Sequence, residues 1–191
     1  MAFTFEKNKD ISDIIIVQPK VFWDERWFFM ETYNQKEFTN NWIDTIFIQD
    51  NHSKSNKWTF RGFHFQTQNT QSKLVRVLRW SVLDFAIDLR KISDTYGKFV
   101  IEILSWENKK QLFIPKWFAH GFLALEDESE FAYKCDDLYN PESEWWIIYN
   151  DADINIPWDE IMEKYIIENI ILSEKDKKNM WLKDFEKISP F

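Results

Sequence analysis

Between residues 73 and 89 the chain alternates, turns and alternates again, and this constrains its fold more than any other stretch. Lys73, Val75 and Val77 interleave with Leu74, Arg76 and Leu78; beyond Arg79-Trp80, Val82, Asp84 and Ala86 interleave with Leu83, Phe85, Ile87 and Leu89. A two-residue period sends successive side chains to opposite faces of a strand. The pattern predicts a hairpin closed by Arg79-Trp80, in which Val75 pairs with Asp84. Lys73 then lies diagonally across from Asp84, within reach of a long side chain, as a buried pair or an exposed rim pair.

The same short-strand rhythm recurs at 14–17, 28–33, 46–51, 59–66, 99–104, 111–114, 118–125 and 130–135, with turns between and no long helical crossover. Such a chain is mainly β, an antiparallel sandwich or jelly roll. Residues 53–57 read as a loop. Asn34 caps a short helix near residues 35–41, with Glu37 placed for a capping box. After Asn150 the alternation stops: Pro157 precedes a short helix or arm over 158–169. Ser173 caps a predicted helix over 173–185 with Glu174 and Asp176 in its first turn. The expectation is a single domain over 1–191, with a core at about 14–150 and a C-terminal arm and helix at about 151–191.

Charge and cysteine usage narrow the partners. A net charge of −8 and a pI near 5.0 argue against a nucleic-acid backbone or an anionic membrane as general partner. Cys135 is the only cysteine, which precludes an intramolecular disulfide and fits a cytoplasmic location. No apolar run approaches the roughly 20 residues that span a bilayer, and no secretory signal opens the chain.

The chemistry concentrates in Thr59-Phe60-Arg61-Gly62-Phe63-His64-Phe65-Gln66. Strict alternation puts Phe60, Gly62, His64 and Gln66 on one face and Arg61 on the other, so Arg61 and His64 share a pocket only if Gly62 bends or bulges the strand. A histidine among phenylalanines serves either as a satisfied core residue or as a base. With only His52, His64 and His120 in the chain and no second imidazole beside His64, a metal centre is not expected.

Four further stretches decide between these readings: Phe47-Ile48-Gln49-Asp50-Asn51-His52-Ser53, Ile114-Pro115-Lys116-Trp117-Phe118-Ala119-His120-Gly121-Phe122, Phe131-Ala132-Tyr133-Lys134-Cys135 and Leu172-Ser173-Glu174-Lys175-Asp176. With the His64 stretch, in this order, the chain from about Val17 to about Asp176 resembles the dTDP-4-dehydrorhamnose 3,5-epimerase family, a cupin-type jelly roll. The resemblance implies a cofactor-independent acid–base epimerase of a dTDP-linked keto-deoxysugar, acting at C3 and C5, and a homodimer. It implies His64 as base, Tyr133 as acid, Lys73 as the cation on the enolate oxygen and Asp176 as the carboxylate orienting the histidine, with Asp84 supporting Lys73. Its matched binding positions are Arg26, Glu31, Gln49, Asp50, Asn51, Arg61, His120, Glu144 and Lys175, with Arg26 and Glu31 completing the partner's site. Rival readings are a monofunctional epimerase of a related pathway, a catalytically silent sugar-nucleotide-binding cupin and, last, a metal-dependent cupin.

Two departures stand out. Leu138 occupies a position where many relatives carry a tyrosine beside Tyr139. The chain also holds three glycines and eleven tryptophans, where ordinary usage of about 7% glycine gives roughly 13. Trp23, Trp27, Trp58, Trp80, Trp117, Trp145 and Trp146 stand where the family's motifs have glycine, and Trp80 falls at a predicted tight turn. The expectation is that these are UGA codons which the source organism reads as glycine.

Overall fold

Thirteen strands and three short helices account for the alternating sequence; the computed structural model describes residues 2–190, and of Lys178 the backbone alone. In chain order the strands are β1 (Phe3–Lys7), β2 (Ile15–Pro19), β3 (Phe22–Asp24), β4 (Trp27–Phe29), β5 (Gln49–Ser55), β6 (Phe60–Gln66) and β7 (Lys73–Arg79). They continue with β8 (Ser81–Asp88), β9 (Phe99–Ser105), β10 (Gln111–Ile114), β11 (Phe118–Ala124), β12 (Ser129–Cys135) and β13 (Glu144–Trp146). The helices are α1 (Gln35–Thr39), α2 (Trp158–Tyr165) and α3 (Leu182–Ile188), with one 3₁₀ turn at Asp176–Lys178.

Two antiparallel sheets face each other, one ordered β1-β2-β10-β7-β12-β5 and the other β13-β6-β11-β8-β9, and β3-β4 forms a separate ribbon. This is the expected jelly-roll sandwich, but its most conspicuous segment is not a hairpin. β7 pairs with β10 and β12, whereas β8 pairs with β11 and β9, so Arg79-Trp80 turns the chain from one sheet into the other. Val75 therefore does not pair with Asp84; it pairs with Leu112 and Tyr133. A corner between sheets and a hairpin share the same alternation, because period fixes facing and not partner.

The alternation sorts side chains into three cores. Val75, Val77, Val82, Ala86, Leu112, Phe118, Phe122 and Phe131 meet between the sheets, where Phe122 and Phe131 stack at 4.1 Å and 20°. The opposite parity of β6, β8 and β11 supplies Phe60, Phe63, Phe65, Leu83, Phe85, Ile87, Ala119 and Leu123 to an outer core covered by the C-terminal arm through Ile154, Ile161, Leu182 and Phe185. A third cluster packs Phe38 of α1 against Phe3, Ile15, Val17, Leu74 and Phe113. β8 is buried along its whole length because apolar material covers both its faces.

Several boundaries differ from the sequence reading. The strand expected at 28–33 stops at Phe29, and β5 runs through Ser55 where a loop was expected. Asn34 Oδ1 accepts from the Glu37 amide at 3.3 Å, as a cap should, but the Glu37 carboxylate accepts from the Ala2 amide instead of returning to Asn34. The helix predicted over 173–185 breaks into the 3₁₀ turn and α3, with Asn179 extended between them (ψ 161°). Asp176, the first residue of that turn, is turned inward, buried and held by His64, a side chain outside its own helix.

Candidate active site

Gly62 sets the geometry of β6. Its φ of 148° is glycine backbone, and the β6–β11 register shifts between His120 and Phe122, so that His120 faces His64 and Phe122 faces Arg61. This bulge inverts the alternation: Phe60, Phe63 and Phe65 all enter the outer core, while Arg61 and His64 line common cavities on the inner side. The conditional expectation for Arg61 thus holds, and the expectation that Phe60 shares a face with His64 does not. A Cβ at Gly62 would lie 2.5 Å from Gly121 Cα and 3.0 Å from the His120 carbonyl oxygen, so the two strands approach there because both positions are glycine.

His64 Nε2 lies 3.1 Å from Asp176 Oδ1, and Asp176 Oδ2 accepts from the Ser173 hydroxyl at 2.6 Å. The carboxylate is 4% exposed. Burial disfavours its charge, but the hydrogen bonds from His64 and Ser173 outweigh that penalty and hold Asp176 below the ordinary carboxylate range. The imidazole is thereby fixed by a partner 112 residues away in sequence.

Strand parity brings the remaining groups to the same end of the interior. Lys73 shares the inward parity of Val75 on β7, Tyr133 that of Phe131 on β12, and His120 that of Phe122 on β11. A cavity of about 150 Å³ is lined by Arg61, His64, Lys73, His120 and Tyr133. A second, of about 290 Å³, joins His64, Lys73 and Tyr133 to Gln49, Asn51 and Glu144, and a third, of about 410 Å³, lies against His64, Arg61, Glu144, Lys175 and Asp176. His64 borders all three.

The electrostatics follow from burial. Desolvation pulls the Lys73 ammonium below the ordinary lysine value, although the charges of Asp84 and Glu144 oppose it. Burial, reinforced by Cys135 and Glu144, pushes the Tyr133 phenol up to about 12, so it stays protonated at neutral pH. Asp84 is fully buried, and its carboxylate meets His120 Nε2 at 3.0 and 3.1 Å. The expected Lys73–Asp84 ion pair is therefore replaced by a His120–Asp84 pair; Lys73 and Asp84 face each other from different sheets. Desolvation keeps His120 below the ordinary imidazole value.

Three expected residues are not brought to His64. Asp50 projects from the other face of β5 from Gln49 and Asn51 and is held by Lys134 at 2.8 Å. Arg26 sits in the β3–β4 ribbon with its side chain 85% exposed and pairs with Asp24, and Glu31 lines none of the three cavities. Conversely, Gln66, absent from the expected site, and Tyr139, noted in the sequence only as the neighbour of Leu138, both line the cavity of about 290 Å³. Gln66 holds the 138–140 loop through Leu138 O and the Asn140 amide, and Tyr139 from that loop donates to Glu144 at 2.7 Å. These two loop partners are more than 70 residues away, and only the Asn69 carbonyl, which accepts from Gln66 Nε2 at 2.6 Å, is local. Ser53 Oγ is also buried against the smallest cavity, with no hydrogen-bond partner among the described residues. No cluster of three or more metal-ligating side chains occurs among the described residues, and no helix there is long and apolar enough to cross a membrane.

The jelly-roll fold is that of the cupin-type carbohydrate epimerases, and the chain is an isomerase of that class. The family model for dTDP-4-dehydrorhamnose 3,5-epimerase matches residues 8–184. The dTDP-4-dehydrorhamnose 3,5-epimerase of Methanothermobacter thermautotrophicus is 47% identical over 175 residues, covering 92% of each chain. That of Escherichia coli K12 is 45% identical, covering 88% of this chain and 89% of its own. The structure of the dTDP-6-deoxy-D-glucose-3,5-epimerase of Legionella pneumophila Philadelphia 1, in complex with dTDP-4-keto-L-rhamnose, superposes with a TM-score of 0.88 at 43% identity, covering 95% of this chain and 93% of that one. The chain belongs to the dTDP-4-dehydrorhamnose 3,5-epimerase family.

Proposed function

We propose that the chain converts dTDP-4-dehydro-6-deoxy-D-glucose to dTDP-4-dehydro-L-rhamnose by epimerising C3 and C5 through acid–base chemistry. The observation that carries the assignment of roles is the buried Asp176 carboxylate on His64, with Tyr133 and Lys73 entering the same cavity from the opposite sheet. A proton on carbon next to a ketone becomes removable when a base is poised beside it and a cation awaits the enolate oxygen. His64 takes the proton, Lys73 holds the oxygen, and the Tyr133 phenol returns a proton from the other sheet's side. Asp176 keeps the imidazole oriented and stabilises it once protonated, as an orienting group does for a catalytic base. Arg61 and Lys175 supply cations for the pyrophosphate, and Gln49, Asn51, His120 and Glu144 supply hydrogen bonds for the rest of the ligand.

The ribbon of β3 and β4 carries Arg26 into solvent and projects Phe22 and Phe29, 49% and 67% exposed, on the same element. We assign this face to a second copy of the chain, whose His64 site receives Arg26 and Glu31. If so, mixing inactive His64→Ala with inactive Arg26→Ala restores activity, because a mixed dimer contains one intact site; no recovery from verified mixed dimers refutes the arrangement.

Incubating the keto sugar with the protein in heavy water and reading C3 and C5 by NMR tests the reaction. Deuterium at both carbons with the rhamnose configuration is the expected result. Label at one carbon alone makes the chain a monofunctional epimerase, and bound but unlabelled sugar makes it a binder.

A further inference from the structure

The excess of tryptophan is resolved by the backbone. Ten described non-glycine residues have positive φ, and five are tryptophans: Trp27 (108°), Trp42 (71°), Trp58 (64°), Trp80 (65°) and Trp117 (65°). Tryptophan is eleven of 191 residues and yet half of this set. Asparagine, also represented there, tolerates such φ values; a bulky side chain on an L-residue clashes with the carbonyl, and glycine is the default occupant.

The rings make peripheral contacts: Trp27 meets the exposed Trp23 ring, and Trp42, Trp58 and Trp80 lie under Lys7, Lys57 and Arg79. Trp27 and Trp42 are 64% and 60% exposed, Trp80 and Trp117 are also exposed, and Trp58 lies at the rim of the outer core. The backbone at three of these positions is instead fixed by distant partners. The Trp58 amide donates to Ala124 O and its carbonyl accepts from Ile171; the Trp80 carbonyl accepts from Trp106, and the Trp117 carbonyl from Leu89. These turns need left-handed backbone whatever the side chain.

Trp158 shows how this chain uses a tryptophan. Its Nε1 donates to Tyr149 O at 2.8 Å, and its ring packs against Phe60 and Phe85 at 5.6 and 5.3 Å, without positive φ. Trp23, Trp145 and Trp146 also lie in strands without positive φ, so the backbone does not select them.

We infer that residues 27, 42, 58, 80 and 117 are glycine in the protein its own cell makes, each encoded by UGA read as glycine. Residue 42 joins the set on backbone evidence, and the inference does not depend on the proposed reaction. The gene provides the first test: UGA at all five codons and UGG at 158 is expected, and UGG at the five overturns the inference. Peptide mass spectrometry of the protein purified from its own cells then decides, with glycine at the five positions supporting the inference and tryptophan refuting it. Expressed recombinantly, the variant carrying all five Trp→Gly substitutions should melt about 10 °C or more above the tryptophan chain. An unchanged or lower midpoint counts against the inference.

Discussion

Gly62→Ala tests the link between the bulge and the site. The new Cβ meets Gly121 Cα at 2.5 Å and the His120 carbonyl at 3.0 Å, where ordinary van der Waals contact begins near 3.4 Å. Both neighbours are backbone, so neither can rotate away, and β6 and β11 must separate by close to an ångström. Overpacking of this kind costs about 1–3 kcal/mol. Holding alanine at a φ of 148° adds a further 1–3 kcal/mol or so. The loss is then about 2–6 kcal/mol of the roughly 5–15 kcal/mol that stabilises a domain. Gly97→Ala provides the comparison: φ is also positive (73°), but the nearest atom to its Cβ is a flexible Leu182 Cδ2 at 3.4 Å, so about 1–2 kcal/mol is expected. Urea unfolding of both variants, with turnover measured on the folded fraction, separates the terms. Equal midpoints for the two, or full turnover by folded Gly62→Ala, would refute the claim that the close approach at Gly62 positions Arg61 and His64.

Three more outcomes follow from the same geometry. Tyr133→Phe removes the proton donor and not the base, so product formation drops by about 10²–10⁴-fold while deuterium exchange at the carbon facing His64 persists in NMR. Asp176→Asn lowers kcat by up to about 10⁴-fold with KM little changed. Because Asp176 is held below its unfolded value of about 3.9, its stabilising contribution is complete above that value and lost as pH falls through the folded one. Acid titration of stability should therefore fall less steeply below about pH 4 in Asp176→Asn. Lys73 is depressed by burial, so its charge costs stability in full below the folded value, and the cost is relieved as pH rises from the folded to the unfolded value. Lys73→Met should raise the unfolding free energy measured in urea by about 1 kcal/mol or more, while abolishing turnover.

The sequence made strand content legible because β8 and β11 alternate without exception, and parity correctly foretold that Lys73, Val75 and Val77 share a face. It left partners illegible. The alternation through residues 73–89 is the same whether Arg79-Trp80 closes a hairpin or carries the chain between sheets, and only the pairing with β10–β12 distinguishes them. Asp50 shows the converse: it sits one residue from Gln49 and Asn51, and a motif read as a block ignores that β5 sends it the other way. Arg61 and His64 converge through one extra residue at Gly62, which no two-residue period anticipates. The Ser173 cap was visible, but the burial of Asp176 depends on an imidazole 112 positions away.

The ring stack of Phe122 and Phe131 has a consequence for alignment. These rings belong to β11 and β12, one in each sheet, and both border the cavity shared by His64 and Tyr133. They act as a shim that sets the gap between the two jaws of the sandwich, and with it the distance from base to acid. Thinning the shim, as in Phe131→Leu, changes no group that touches the sugar and yet brings the jaws out of gauge.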